Sequence, residues 1–380
     1  MNEPSLILFF TRSVSLGDWI SSGLVDREKI IYEEFLKKKI FKKVYWITYG
    51  SRDLELSKKL HADGSLDPRI IILEKNKFFQ TKFLNYIYSF YLIFKFRKYF
   101  LKASILKTNQ IDGSWSALLA KFIYRKPLFL RCGYLISKSE KIWKRKNFVQ
   151  IYVSELLEKL AFSNCDASTV TSNGDLEYLK EKFNLNNLPI VNPSFVDVNK
   201  FKETISVDVK RELLFIGRLS KEKNLFNISL AAKENNLTLN IIGEGNMKNE
   251  LIKFSKREKI KINFLGNFPN DKLPEIINRY EFFIMCSESE GLPKSLLEAM
   301  AMRRICIGSN VPGIRDLISN NFNGLLSKST NQFDISNAIK KALNYKDTSQ
   351  IKSNARDFVI SNFSLNNFFK IEQKIIEELL

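Results

Sequence analysis

Short apolar runs that alternate with helix-length segments are the feature that most restricts the fold of this chain. The runs occupy residues 6–11, 44–50, 69–74, 103–109, 127–133, 212–217, 237–243, 261–266, 281–287 and 304–309. Apolar runs of this length, separated by segments with helical periodicity, are typical of βαβ units, in which a helix joins two parallel strands. The pattern therefore predicts an α/β protein built from parallel sheets.

The chain is long enough for two such domains. It has 380 residues, and a single domain usually takes about 100 to 200. Pro189 and Pro193 interrupt the strand and helix patterns, which places the predicted boundary near them. We predict a Rossmann-like domain over residues 1–190, a second one over 191–362, and a final helix over 363–380.

Cysteine and histidine usage excludes several classes of protein. The four cysteines are far apart and form no CxxC motif, so neither a disulfide framework nor a cysteine-rich zinc site is indicated. The single histidine, His61, rules out sites that need two histidines, and its polar surroundings predict a solvated loop. The N-terminal residues lack a basic region and a cleavage site, and the apolar run 83–94 is too short to span a bilayer. We therefore expect a cytoplasmic protein that is soluble or rests against a membrane.

The positive charge is concentrated in one region. The formal net charge is +19, and residues 75–147 hold 17 Lys and Arg against two acidic residues. Within them, residues 78–100 contain eleven aromatics. One interpretation is an amphipathic surface that lies on an anionic bilayer, and the other is a buried aromatic helix pair with a solvated basic rim. Nucleic acid binding is disfavoured, since no RRM, KH or zinc-finger pattern accompanies the region.

The segment SESEGLPKSLLEAM, residues 287–300, carries the pattern with the clearest chemical meaning. A strand is predicted to end at its start, and Pro293 stands where a helix tolerates the missing N–H. The first N–H groups of such a helix form an anion site. Glu290 precedes the helix and Glu298 lies inside it, and carboxylates accept hydrogen bonds from sugar hydroxyls. An ordinary helix start with glutamates favoured by its dipole would give the same spacing.

Two predicted turns earlier in the sequence contain further candidate binding residues, which are two cations and a glycine. Arg218 and Lys223 stand in LLFIGRLSKEKN, at a predicted strand-to-helix turn. Two cations there suit a diphosphate, because they offset the charge that grows on a leaving group. Gly243 stands in IIGEG, where the backbone can approach a ligand closely. Alternatively, Arg218 and Lys223 are solvated loop charges and Gly243 belongs to a plain tight turn.

Taken in order, FIGRLSKEKN, LNIIGEG, SESEGLPKSLLEAM and PGIRDLI resemble the C-terminal domain of the retaining GT-B glycosyltransferases of family 4 over residues 213–318. The resemblance implies a GT-B fold, with two Rossmann-like domains facing across a cleft and the C-terminal helix returning to the N-terminal domain. It also implies transfer of a sugar, with retention, from a nucleoside diphosphate sugar of the UDP or GDP type. No metal or other cofactor is expected.

The resemblance also implies roles for individual residues. Arg218 and Lys223 would hold the donor diphosphate and Glu290 would contact the transferred sugar, which makes these three the expected catalytic set. Where the family often has Gly-Gly this chain has only Gly17, and where many members have a histidine it has Arg131, for which an acceptor contact and a structural salt bridge both stay open. The full implied donor set is Gly17, Arg218, Lys223, Gly243, Asn267, Phe268, Glu290, Gly291, Leu292, Pro293 and Glu298.

The functional hypothesis is transfer of one sugar to a cell-envelope glycan acceptor held by the N-terminal domain. The basic aromatic region favours a lipid-linked acceptor, in lipopolysaccharide or polysaccharide biosynthesis at the inner face of the cytoplasmic membrane. Three alternatives stay open: a sugar-nucleotide epimerase of the same fold, a synthase of soluble glucan, and a non-enzymatic protein that binds membrane or nucleic acid through the basic region.

Overall fold

The computed structural model describes residues 4–79, 81–133, 135–138, 148–204 and 208–380. They form two compact units. The first comprises Met1–Pro193 together with Phe369–Leu380, and the second comprises Ser194–Phe368. Part of the basic region, residues 139–147, lies outside the described residues.

The first unit is built on a seven-stranded parallel sheet with the order β3-β2-β1-β4-β5-β6-β7. Leu6, Ile7 and Leu8 in the first strand are all fully buried, because a parallel sheet with helices on both faces hides both sides of each strand. The strands are β1 (Ser5–Phe9), β2 (Lys43–Ile47), β3 (Ile70–Leu73), β4 (Ile105–Thr108), β5 (Leu128–Cys132), β6 (Ala167–Val170) and β7 (Ile190–Val191).

Helices cover the two faces of this sheet. They are α1 (Leu16–Ser21), α2 (Val25–Lys37), α3 (Asp53–Ala62), α4 (Lys82–Lys95), α5 (Arg97–Lys102), α6 (Ser114–Tyr124), α7 (Phe148–Asn164) and α8 (Asn173–Lys182). On one face Tyr32 of α2 packs against Trp46 of β2, with ring centroids 5.6 Å apart. On the other face Ala117 of α6 shares a core with Ile7 and Leu106.

The second unit repeats this architecture with six parallel strands in the order β10-β9-β8-β11-β12-β13. The strands are β8 (Lys210–Ile216), β9 (Leu239–Ile242), β10 (Ile262–Gly266), β11 (Tyr280–Met285), β12 (Ile305–Ser309) and β13 (Leu325–Ser327). The helices are a 3-10 turn (Lys221–Lys223), α9 (Leu225–Glu234), α10 (Lys248–Arg257), α11 (Leu273–Ile277), α12 (Lys294–Ala301), α13 (Gln332–Leu343) and α14 (Thr348–Phe363). The predicted class of two parallel α/β sheets is confirmed.

The last helix, α15 (Leu365–Leu379), completes the first unit. Its Glu372 is fully buried, with Oε1 3.3 Å from Nζ of Lys107 on β4 and 3.8 Å from Nε of Arg131 on β5. Lys107 also donates hydrogen bonds to Asn109 at 3.0 Å and to the hydroxyl of Tyr32 at 3.4 Å. Burial lowers the pKa of Lys107 and the Glu372 carboxylate opposes that shift. The final helix is thus joined to the sheet by buried charge as well as by apolar packing.

The aromatic residues of α4 lie both in the core and on the surface. One side of α4 enters the core through Tyr88 and Leu92, which are fully buried. The other side leaves Phe83, Phe90 and Phe94 exposed. The apolar residues of α4 therefore contribute to the core on one side of the helix and to the exposed surface on the other.

The structure corrects the prediction for His61. The residue lies in α3 rather than in a loop, and its Nε2 is 3.1 Å from the carbonyl oxygen of Ile70. No helix in the described part of the chain is long and apolar enough to cross a bilayer.

Candidate functional site

The candidate site of the second unit lies where the order of its strands reverses. Strand β8 has β9 on one side and β11 on the other, and all three are parallel. The segments that follow β8 and β11 therefore leave the same edge of the sheet side by side, which is where open α/β sheets bind ligands. The backbone N–H of Glu288, after β11, donates to the carbonyl of Glu222, after β8, at 2.8 Å.

At this edge Lys223 and Glu290 form an ion pair. Nζ of Lys223 lies 2.6 Å from Oε1 of Glu290. The hydroxyl of Ser287 donates to the same carboxylate oxygen at 2.8 Å. The side chains of Lys223 and Glu290 are 17% and 10% exposed, so solvent reaches both of them. The structure thus brings together two of the three residues expected to be catalytic.

Asn224 fixes the position of Lys223. It ends the 3-10 turn Lys221–Lys223 with a left-handed φ of 56°, a conformation that asparagine tolerates better than most residues. Its side-chain amide donates to the carbonyls of Cys286 and Thr330, at 3.0 and 2.7 Å. Asn224 was not among the predicted site residues, although an asparagine directly before a helix is a signal for such a turn.

The helix expected to bind an anion begins beside this pair. Pro293 is the N-cap of α12, and no side chain caps the helix. The hydroxyl of Ser295 in its first turn donates to the carbonyl of Ile216 at 2.8 Å, which ties the helix start to the end of β8. The helix N-terminus adds partial positive charge next to Lys223.

The loop before this helix is closely packed on one side. Leu292 packs against the core, whereas a side chain at Gly291 would meet open space. Gly313 has a φ of +79°, and a Cβ there would come within 2.3 Å of the Gly291 carbonyl oxygen and 2.5 Å of the Glu290 carbonyl oxygen. Gly313 therefore allows the loop that carries Glu290 to lie against its neighbour.

Four of the predicted donor residues line one pocket of about 300 Å³: Arg218, Gly243, Asn267 and Phe268. Gly243 has a φ of +139°, and a Cβ on it would lie 2.0 Å from the carbonyl oxygen of Gly217. Only glycine lets the turns after β8 and β9 approach this closely. The pocket owes its shape to that contact.

Glu298 lies inside α12 and is 8% exposed. The amide of Asn270 points toward its Oε1 at 3.5 Å, and Asn270 in turn accepts a hydrogen bond from Lys200 at 2.7 Å. The carboxylate is therefore held by Asn270, and through it by Lys200, neither of which was among the predicted site residues.

Gly17 and Arg131 belong to the first unit. Gly17 is in the first turn of α1, where the buried carboxylate of Asp53 accepts hydrogen bonds from the N–H groups of Leu16 at 2.9 Å and Gly17 at 3.4 Å. Arg131 stands beside Glu372, the geometry of a structural ion pair. Asp53 was missed because its partners are distant in sequence.

Cys286 directly precedes Ser287, whose hydroxyl binds the Glu290 carboxylate. Burial raises the pKa of the Cys286 thiol to about 12, so this cysteine stays protonated at neutral pH and is a poor nucleophile. Among the described residues, no group of three histidine, cysteine, aspartate or glutamate side chains is placed to hold a metal ion.

Two parallel α/β units, one of them with a cation–carboxylate pair at an uncapped helix start, are consistent with a GT-B glycosyltransferase. Residues 197–358 match the family described as "Glycosyl transferases group 1", and this range lies inside the second unit. The chain is therefore a glycosyltransferase, and its second unit is the part that matches the family.

Two relatives carry glycosyltransferase names, and a solved structure shares the fold. The chain is 28% identical over 296 residues to a Campylobacter jejuni GalNAc-alpha-(1->4)-GalNAc-alpha-(1->3)-diNAcBac-PP-undecaprenol alpha-1,4-N-acetyl-D-galactosaminyltransferase, covering 70% of this chain and 76% of that one. It is 29% identical over 194 residues to an Escherichia coli UDP-Gal:alpha-D-GlcNAc-diphosphoundecaprenol alpha-1,3-galactosyltransferase, covering 46% of this chain and 50% of that one. Its fold is similar to that of Anabaena Alr3699/HepE, solved in complex with UDP, with a TM-score of 0.75, 16% identity, and coverage of 99% and 100%.

Proposed function

We propose that this glycosyltransferase moves one sugar, with retention of anomeric configuration, from a UDP-sugar to a lipid-linked glycan of the cell envelope. The observation that carries the proposal is the Lys223–Glu290 pair at the start of α12. A cation, a carboxylate and a helix N-terminus at one sheet edge fit a sugar diphosphate, whose phosphates are anionic and whose sugar carries hydroxyls.

The donor would extend across this edge of the second unit. Arg218 and Lys223 would hold the diphosphate through charge-assisted hydrogen bonds. The base would occupy the pocket lined by Asn267 and Phe268, and Glu298 would accept hydrogen bonds from the ribose hydroxyls. The Gly243 turn would give the phosphates access to the backbone.

Retention without a metal ion fits the groups in this site. The leaving diphosphate gains negative charge as the glycosidic bond breaks, and Arg218, Lys223 and the helix dipole would stabilise that charge. A diphosphate oxygen would take the proton of the acceptor hydroxyl, so a strong protein base is not required. Glu290 would orient the transferred sugar through its hydroxyls.

The lipid-linked acceptor and a peripheral position on an anionic membrane are proposed from the first unit. Helix α6 packs between α4 and α7, and both outer helices leave apolar side chains exposed. These are Phe83, Ile87, Phe90, Tyr91 and Phe94 on α4 and Val149, Tyr152, Val153, Leu156 and Leu160 on α7. Aromatics beside basic residues suit the interface of a bilayer with anionic lipids. The two relatives named above act on undecaprenol-linked glycans.

A transfer assay tests the enzymatic part. The protein is first screened for thermal shifts with UDP-, GDP- and ADP-sugars, and the donor that binds is then incubated with undecaprenyl diphosphate-linked GlcNAc and GalNAc acceptors, with and without EDTA. We expect a product of retained configuration, insensitive to EDTA and lost in Lys223→Ala, whereas the exposed-lysine control Lys341→Ala stays active. An isomerised sugar nucleotide formed without acceptor would instead identify an epimerase.

Liposome flotation tests the membrane part. The wild type should float with phosphatidylglycerol vesicles at low salt and sink when salt shortens the screening length below about 8 Å. Phe90→Asp together with Phe94→Asp should abolish flotation, while Phe333→Asp, at an exposed aromatic of the second unit, should not. Equal flotation of all three proteins, or none with anionic vesicles, would contradict this part.

A further inference from the structure

A second cluster of functional character lies at the strand-order reversal of the first sheet. Strand β1 has β2 on one side and β4 on the other, and the helices that follow β1 and β4 cover opposite faces. The segments after these two strands therefore border a crevice at the carboxyl edge of the sheet. Arg12 follows β1 and Asp112 follows β4.

These two residues pair through two hydrogen bonds. Nε and Nη2 of Arg12 donate to the two carboxylate oxygens of Asp112 at 3.2 and 3.4 Å. The loops that carry them also meet through the backbone, where the N–H of Arg12 donates to the carbonyl of Asp112 at 3.4 Å. Gly113, with a φ of +93°, makes the approach possible, since a Cβ there would lie 3.2 Å from the Arg12 nitrogen.

Two aromatic rings complete the cluster. The Arg12 guanidinium carbon is 4.1 Å from the ring centre of Tyr86 and 5.9 Å from that of Trp115. The rings are nearly parallel, at 11°, with centroids 5.9 Å apart. The Trp115 indole N–H donates to the hydroxyl of the fully buried Ser89 at 2.9 Å, which fixes the orientation of that ring. Tyr86 is 46% exposed, so a ligand can reach the cluster.

A strained backbone at the neighbouring residue marks the same place. Ser13 adopts a left-handed φ of 65°, and its hydroxyl accepts a hydrogen bond from the amide of Asn85 at 3.0 Å. Asn85 in turn accepts one from the buried Lys75 at 2.9 Å. Strain of this kind persists where the surroundings hold it in place, and it is concentrated at binding sites.

We propose that Arg12, Tyr86, Asp112 and Trp115 form a binding site for a neutral sugar residue of the acceptor glycan; this rests on the proposed function, in which the first unit holds the acceptor. Aromatic faces carry negative charge that attracts the C–H groups on one face of a sugar ring. The carboxylate of Asp112 accepts hydrogen bonds from sugar hydroxyls, and Nη1 of Arg12, outside the pairing with Asp112, can donate one.

Charge decides between a sugar and a phosphate at this place. The two-bond pairing with Asp112 neutralises Arg12, and a carboxylate beside the ligand repels an incoming diphosphate. A neutral polyhydroxylated ring meets no such repulsion. The cluster therefore selects an uncharged sugar rather than the anionic linkage of a lipid carrier.

Saturation-transfer NMR with N-acetylgalactosamine, N-acetylglucosamine and galactose tests this proposal, with excess UDP present to fill the nucleotide site. We expect signal on the C–H protons of at least one sugar, with affinity about two- to twelvefold lower in Tyr86→Ala and in Trp115→Ala, as for the loss of one ring contact. Tyr86→Phe and Trp115→Phe should retain binding, and so should Phe333→Ala as a matched exposed aromatic.

The outcomes separate this proposal from the proposed function. The sugar site is overturned if no sugar gives a signal, or if the signals are equal in the wild type and in Tyr86→Ala. It is also overturned if inorganic pyrophosphate competes with the sugar for binding. Because Tyr86 is exposed, its variant decides the test even if Trp115→Ala fails to fold. Thermal shifts with UDP in the same samples report on the donor site alone, so loss of those shifts refutes the proposed function, while the comparison of the wild type with Tyr86→Ala still decides the sugar site.

Discussion

Replacing Glu290 with glutamine is expected to have opposite effects on UDP binding and on sugar transfer. In the structure, Lys223 is engaged by the Glu290 carboxylate at 2.6 Å. A diphosphate must compete with that carboxylate for the same ammonium group. Glu290→Gln removes the competing charge, yet its amide oxygen can still accept the Ser287 hydrogen bond that holds the loop.

The size of the effect follows from the exposure of the pair. Hydrogen bonds to charged groups contribute about 1.5 to 3 kcal/mol, and partial solvent access to both side chains reduces that value. Releasing Lys223 should therefore favour UDP by about 1 to 2 kcal/mol, which lowers the Kd roughly five- to thirtyfold. Transfer should fall about 100-fold in kcat, the order of loss seen when one group that orients or stabilises the reacting centre is removed.

Calorimetric titration with UDP, paired with initial-rate kinetics, measures both effects on the same protein. Lys223→Ala serves as the opposing variant, because it should weaken UDP binding about 10- to 150-fold through loss of charge-assisted hydrogen bonds to the diphosphate. The double variant should bind UDP somewhat more tightly than Lys223→Ala alone, because removing Glu290 still relieves the repulsion between its carboxylate and the diphosphate.

Weaker UDP binding by Glu290→Gln would refute this reasoning. That result would mean that the carboxylate assists the nucleotide instead of competing with it. Unchanged binding in Lys223→Ala would place the diphosphate elsewhere on the sheet edge.

Further expectations concern stability and pH. Gly243→Ala should lower the melting temperature and abolish UDP binding in the same calorimetric assay, because its Cβ would overlap the Gly217 carbonyl oxygen. Glu372→Gln should cost about 3 to 5 kcal/mol in urea unfolding, as for a buried charge left without its partner, and Lys107→Met should cost less because Glu372 then keeps Arg131 nearby. Burial raises the pKa of Glu158 above 4.5, so its favourable contribution is complete below that pH and is lost as pH rises through the raised pKa. The melting temperature of the wild type relative to Glu158→Gln should therefore decrease as pH rises from about 4 to about 8.

Much of the fold could be predicted because parallel strands buried on both faces have continuous apolar sequences. The strands at 212–217 and 281–287, and the turns that follow them, are examples. Helix α7 was not predicted, because apolar residues lie on its exposed side as well as on its buried side and weaken the helical periodicity.

The candidate site was predictable where its residues follow strands within recognisable motifs. Lys223 and Glu290 belong to such motifs, and strand adjacency brings them together. The contacts of Asn224 with the Thr330 carbonyl and of Glu372 with Lys107 join distant parts of the chain. Spacing along the sequence carries no information about such pairs, although a lysine within an apolar run does indicate that a buried partner is needed.

The buried position of Glu372 has a consequence for biosynthesis. Domains commonly fold as they leave the ribosome, with the N-terminal one first. Here Lys107 and Arg131 lack the carboxylate of Glu372 until that residue emerges from the ribosome. The second unit, contained in Ser194–Phe368, is fully synthesised before then. The half of the enzyme that is translated first is thus the half that is completed only after the other half has been translated.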